Sequence, residues 1–365
     1  MKVLFKNNKA LHISGNILMP LKKIDPYNPA DLPPYTIRIK LVEGAEPLQR
    51  MMRTPDWQYV TDPNWVQTCI DVENNIWDVT YTSSDWSNTF TCTTQGQGRS
   101  EYGGVLNNTD LLEIQSANLA GVTNLDNTFT DNKAMTKAII SMPDAICRLY
   151  YTYCFQRDIS LKELRLDVSS WTVCPAEWGH NITDQSSEGD YIDVIDMNVS
   201  SLIDGQNMFR QIKAKSITLH NCQNLRNCRS MFMGINELET VVLENTRVLD
   251  RTSEMFHLCP SLHYMPDMDY STITRADDMF YGSYWDHEGE GLFEITPVAM
   301  PNVVNVSEMF YQQANVSGGA LGMYEILADT PSVTAHDNTF GNTGGQTPTG
   351  IAELVQIPSS WGGWQ

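Results

Sequence analysis

A two-residue phrase returns through this chain at a fixed interval. Met231-Phe232, Met255-Phe256 and Met279-Phe280 follow one another at 24 residues. A period of about 20–30 residues with one recurring aromatic marks a solenoid, and it constrains the fold more than any other feature here. A unit of that size cannot bury its own apolar face. Stacked units bury it against each other, so the chain grows by repetition instead of dividing into globular domains.

Phe anchors extend the row in both directions: Phe90, Phe129, Phe155, Phe209, Phe232, Phe256, Phe280, Phe310 and Phe340. Their intervals are 39, 26, 54, 23, 24, 24, 30 and 30 residues. The 54-residue interval has room for two units, and Trp178 fills the missing anchor, which gives about ten units. Apolar alternation follows the anchors: Leu161, Leu164, Leu166 and Val168 after Phe155, Leu238, Val241 and Leu243 after Phe232, and Leu262, Met265 and Met268 after Phe256. Each run is expected to supply one short strand, parallel to its neighbours. The polar residue before Met-Phe, as at Ser230, Ser253, Asp277 and Ser307, suits the cap of a single helical turn. The expected fold is therefore an α/β solenoid of leucine-rich-repeat type, with short parallel strands and short helical turns.

Residues 1–75 stand outside the period. "YTIRIKL" alternates Ile37, Ile39 and Leu41 with Arg38 and Lys40, as a half-buried strand does. "IDPYNPADLPP" is a proline-rich connector that cannot continue a ladder. These residues read as a small β module that caps the solenoid and is a candidate for attachment. The repeats occupy 76–358, opening with the strand "IWDVTY" and closing with a last strand in "IAELVQIP", and 359–365 form a tail. Polar or Gly-rich insertions at 92–108, 174–190, 283–291 and 311–322 lengthen individual units.

The formal net charge is −20, which repels nucleic acid and anionic lipid. No run of about 18 apolar residues is present, so membrane insertion is not expected. Eight cysteines occur without a CxxC pair, and they read as small buried hydrophobes filling repeat slots. His257, Cys259 and His263 lie close in sequence, but zinc needs a fourth ligand and convergence. Asp184, Glu188, Asp190, Asp193 and Asp196, and the run Asp286 to Glu290, lack the register of a calcium loop. Neither GxSxG, a P-loop nor HExxH occurs. No catalytic residue, metal or cofactor is expected, and the chain reads as a non-enzyme.

"VTNLDNTF", "RTSEMFHLCPSLHYMPDMD" and "NVVNVSEMF" resemble the BspA-like leucine-rich-repeat family over about 77–358. Phe256, Cys259 and Leu262 match its spacing closely, Asn236 and Leu238 match in part, and Trp178 and the insertions depart from it. Members are mostly bacterial surface proteins of adhesion, which carry export signals, whereas "MKVLFKNNKA" opens without one. "LPPYTIRIKLVEGAEP" followed by "NNIWDVTYTSSDWSNTF" is similar to the start of BspA-like proteins encoded by gut bacteriophages. That resemblance implies a virion structural protein on the exterior of head or tail. It would be made in the host cytoplasm, multimeric within the assembly, and bound to other virion proteins and to a host surface glycan or protein. The competing readings are a bacterial cell-surface adhesin and, behind it, a polysaccharide depolymerase.

Aromatics outside the repeat rule are the candidates for recognition, because they dominate contacts with sugars and proteins. Tyr284 and Trp285 stand in an insertion of the array. Tyr35, Trp57 and Trp65 stand in the N-terminal module and are expected to anchor it. Tyr281 and Tyr311 follow anchor residues and are expected to pack on the neighbouring turn.

Overall fold

A computed structural model gives the architecture. It describes residues 191–282 and 291–364 without a break, and before them 32–47, 64–82, 110–122, 134–144 and 160–174, with the short stretches 4–6, 9–14, 17–20, 51–53 and 59–61 and the single residues 29, 132, 155, 178 and 182.

Leu4–Lys6 (β1), Lys9–Ser14 (β2) and Ile17–Pro20 (β3) form an antiparallel sheet of their own. Thr36–Leu41 (β4) enters the main sheet, and Met51–Arg53 (β5) pairs with Tyr59–Thr61 (β6) as a separate hairpin. Trp65–Asp71 (β7) and Ile76–Tyr81 (β8) form a second hairpin, whose β8 lies antiparallel against β4. β4 in turn pairs antiparallel with Leu111–Asn118 (β9). From β9 onward the sheet is parallel: Lys137–Ser141 (β10), Glu163–Asp167 (β11), Val194–Asn198 (β12), Ser216–His220 (β13) and Thr240–Leu243 (β14) stack in chain order. The protein is a parallel β-solenoid with little helix. Its N-terminal strands continue the solenoid's own sheet and cover the edge of its first parallel strand. "IWDVTY", expected to open the repeats, is thus antiparallel to both its neighbours. The four-residue connection from β7, with Asn75 at φ 52°, forms a tight return that a parallel crossover cannot use.

Alternation places Ile37, Ile39 and Leu41 inward, and likewise Leu164 and Leu166, Ile195 and Met197, Ile217 and Leu219, and Val241 and Leu243. Opposite the strands runs a column of anchor rings. Phe209, Phe232, Phe256, Phe280, Phe310 and Phe340 stack face to face with centroids 5.3–5.6 Å apart. Trp178 meets the head of the column edge-on, 6.0 Å from Phe209, and Phe155 is also fully buried. Phe90 and Phe129 lie outside the described residues.

The Met-Phe segments differ from expectation: they are not helical turns. Two residues before each anchor, Asn207, Ser230, Glu254, Asp278, Glu308 and Asn338 all have φ between 52° and 58°. Two residues after it, Gln211, Gly234, Leu258, Gln312 and Asn342 have φ between 57° and 71°. Left-handed residues at this spacing exclude an α-helix. They set up overlapping turns instead. Alternate amides close locally, as Met231 N–H does on the Cys228 carbonyl at 3.1 Å. The amides between them reach sideways. Ser230, Phe232 and Gly234 donate to Ser253, Met255 and His257 of the next unit at 3.0, 3.0 and 2.8 Å. The local and sideways bonds together make this face a second ladder without strands.

Two further departures concern the C-terminal part. Ala320–Ala328 (α1) begins inside the expected 311–322 loop, and Pro348–Leu354 (α2) replaces the expected last strand. Thr347 caps α2, accepting from Gly350 N–H at 3.0 Å, and Pro348 stands at the first position, where proline costs no hydrogen bond. Glu353 of α2 accepts from the free N–H groups of Gly319 and Leu321 at the start of α1, at 3.2 and 3.1 Å. The chain's end is built in. Trp361 in the 3-10 turn Ser359–Trp361 accepts the Phe340 N–H at 2.8 Å and stacks 4.1 Å from His336, ending the turn ladder.

Candidate functional site

The solvent face of the sheet carries charge in rows across successive strands. Arg38 pairs with Asp78 at 2.8 Å, Lys40 with Glu113 at 3.3 Å, and Lys137 and Arg165 with Glu163 at 3.1 and 2.6 Å. Toward β14 the row narrows to one imidazole between two carboxylates. His220 Nε2 lies 2.8 Å from Asp196 and Nδ1 2.7 Å from Glu244. Hydrogen bonding to Asp196, helped by Glu244 and opposed by burial, raises the His220 pKa to about 9. Asp193 pairs with Lys215 at 2.9 Å. Asp193 and Asp196 are thus partners within the face. Asp184, Glu188 and Asp190 lie outside the described residues.

The turn face bears two side-chain rows beside the buried anchors. Glu254, Asp278 and Glu308 occupy one slot in consecutive units. Burial, reinforced by Glu308, Asp277 and Glu254, pushes the Asp278 carboxyl up to about 6. His257, Tyr281 and Tyr311 form the other row, at centroid distances of 4.6 and 5.1 Å. All three are half-buried, so the tyrosines pack on the neighbouring turn.

The residues of "HLCPSLH" diverge. Cys259 Sγ points inward and donates to the Phe232 carbonyl at 3.0 Å, whereas His263 stacks on Phe293 at 4.0 Å, away from His257. Among the described residues no three metal-ligating side chains converge. Burial pushes the Cys222 and Cys259 thiols up to about 12, so both are packing groups without nucleophilic character.

The aromatics singled out for binding are scattered. Trp65 is 7% exposed and belongs to the core. Tyr35 is half-buried against that core, with its N–H held by the Asn118 carbonyl at 2.7 Å. Trp57, Tyr284, Trp285 and Asp286 to Glu290 lie outside the described residues. The apolar surface of the N-terminal module comes from smaller side chains. Val66 and Ile70, each 44% exposed, stand on the outer side of β7, and Val72 follows at 83%. Among the described strands β7 is the last of the main sheet. The sequence signal for this was Val66, Thr68 and Ile70 alternating with the inward Trp65, Gln67 and Cys69.

Residues 180–288 and 203–320 match the model of a family described as Mycoplasma protein of unknown function, DUF285. The matched stretch holds the regular part of the Phe column and supports a BspA-like family for the repeats. No curated protein and no solved structure matches the chain. Among the described residues no helix is long and apolar enough to cross a membrane.

Proposed function

We propose that this chain is a non-enzymatic binding module on the exterior of a bacteriophage particle, made in the host cytoplasm. Its N-terminal strands hold it to other virion proteins, and its repeats meet a host surface glycan or protein. One observation supports this division of roles more than any other. β7, β8 and β4 are hydrogen-bonded into the sheet that the repeats continue, so a partner gripping β7 grips the whole array rigidly. Val66, Ile70 and Val72 offer that partner an exposed apolar patch at this strand, and burial of apolar surface of this kind drives most protein association. The virion setting and the leucine-rich-repeat character of the units rest on the resemblance to phage-encoded BspA-like proteins. Trp285 and Tyr284, in an insertion of the array, remain the residues assigned to recognition.

The test is incorporation. Particles purified from a host expressing tagged protein should carry it. Val66→Glu combined with Ile70→Glu should abolish incorporation while leaving the melting temperature unchanged, because both side chains face solvent. Particles that lack the wild-type protein would overturn the virion reading. Normal incorporation of the double variant would move attachment away from β7.

A further inference from the structure

The parallel sheet stops at β14 although the solenoid continues. Pro266 lies 24 residues after Val242, in the slot where the next strand would place its middle residue. Thr240 and Glu244 donate to the Lys215 and Leu219 carbonyls of the preceding unit, at 3.2 and 2.9 Å. Alternation therefore turns the N–H and C=O of Val241 and Leu243 toward the following unit. Proline has no N–H to give them. No backbone hydrogen bond joins 241–244 to 264–268. Between the two runs lies an open groove of about 510 Å³, bounded by Val241–Thr246 and Asp267–Asp269. Its volume falls within the ~300–1,000 Å³ usual for ligand clefts. Asp269 N–H bonds the Thr246 hydroxyl at 2.9 Å and closes one end.

We infer that this groove accepts an extended, cationic segment of a partner polypeptide, which adds to β14 as a strand. Backbone groups of Val241 and Leu243 supply the hydrogen bonds, as in strand addition. The rim selects the charge. Glu244, Asp267 and Asp269 border the groove, no lysine or arginine lines it, and the chain carries a net charge of −20. A segment with lysine or arginine at alternate positions places its cations against these carboxylates, and an acidic one is repelled. The site differs from the β7 patch and stands or falls independently of attachment to a particle.

A labelled hexapeptide of alternating lysine and valine, titrated into the full chain by fluorescence anisotropy, tests this. It should bind at least about tenfold more tightly than the glutamate-valine counterpart. Methylating one alternate set of its amides should weaken binding about tenfold, and methylating the other set should not. Pro266→Val should restore the missing donor, let 264–268 pair with β14 and remove binding while the chain stays folded. Equal affinity for both peptides, indifference to which amides are methylated, or undiminished binding by Pro266→Val would each overturn the proposal. Self-association of the wild-type chain that Pro266→Val abolishes would assign the edge to a second copy and overturn the cationic partner.

Discussion

The rings of Phe232 and Phe256 lie 5.3 Å apart and within 3° of parallel. Their backbones are tied by the same repeat, since Phe232 N–H donates to the carbonyl of Met255 at 3.0 Å. One residue per unit thus joins the core column to the turn ladder. Phe256→Ala should cost about 3–5 kcal/mol, the range for truncating a large buried aromatic. Thermal unfolding measures the loss. Hydrogen exchange should rise first in the units holding Phe232 and Phe280, because coupling in a solenoid is between nearest neighbours.

Gly234 discriminates between a helix and a turn ladder by the sign of one substitution. In a helix, Gly234→Ala would stabilise by about 1 kcal/mol. Here Gly234 has φ 71°, and an added Cβ would meet the Gln211 side chain at 3.1 Å. The substitution should instead destabilise by about 1–2 kcal/mol, the cost of a left-handed alanine. A denaturant melt of the two proteins gives the sign.

Two groups give stability a pH dependence of known direction. His220 is raised to about 9 in the fold, against about 6.5 in an unfolded chain. Its contribution is fully present below about 6.5 and is lost as pH rises through about 9. His220→Gln should flatten that decline. Asp278 is raised to about 6 by burial and then by Glu308. The fold therefore holds the protonated form more tightly, and ionisation above about 6 works against folding. Asp278→Asn should raise the melting temperature at neutral pH, both by removing that charge and because asparagine tolerates the φ of 55°. Melting curves between pH 5 and 9 of the three proteins check both signs.

Cys174, Cys222, Cys228 and Cys259 are buried and reduced, each filling a packing slot. Reducing agent should leave the melting temperature unchanged. A fall would reveal disulfides among Cys92, Cys147 and Cys154, which lie outside the described residues.

The 24-residue period made the solenoid legible, and "YTIRIKL" made β4 legible, because both are patterns of burial that one sequence displays. The turn ladder was harder to read. A polar residue before Met-Phe suits a helix cap, and only the side chains that tolerate positive φ point elsewhere. Asn207, Asn338, Asn342 and Gly234, two residues from their anchors, carried that signal, whereas Glu254, Glu308 and Leu258 in the same slots concealed it. Leu262, Met265 and Met268 resembled a strand, but Pro266 between them removes the donor a strand needs. The candidate sites were less legible. Trp65 is expected from the sequence to anchor the module, yet alternation along β7 turns it inward and presents Val66 and Ile70. The groove beside β14 depends on which strand fails to form, and only the register between units reveals it.

The central structural claim is that successive units are joined through their Met-Phe turns by sideways amide bonds, and couplings across hydrogen bonds in a deuterated sample measure those bonds directly. The fold predicts correlations from the Phe232 amide nitrogen to the Met255 carbonyl carbon, and from Phe256 to Met279. Correlations from these amides to carbonyls four residues earlier in the same unit would mean helical turns and would contradict the account.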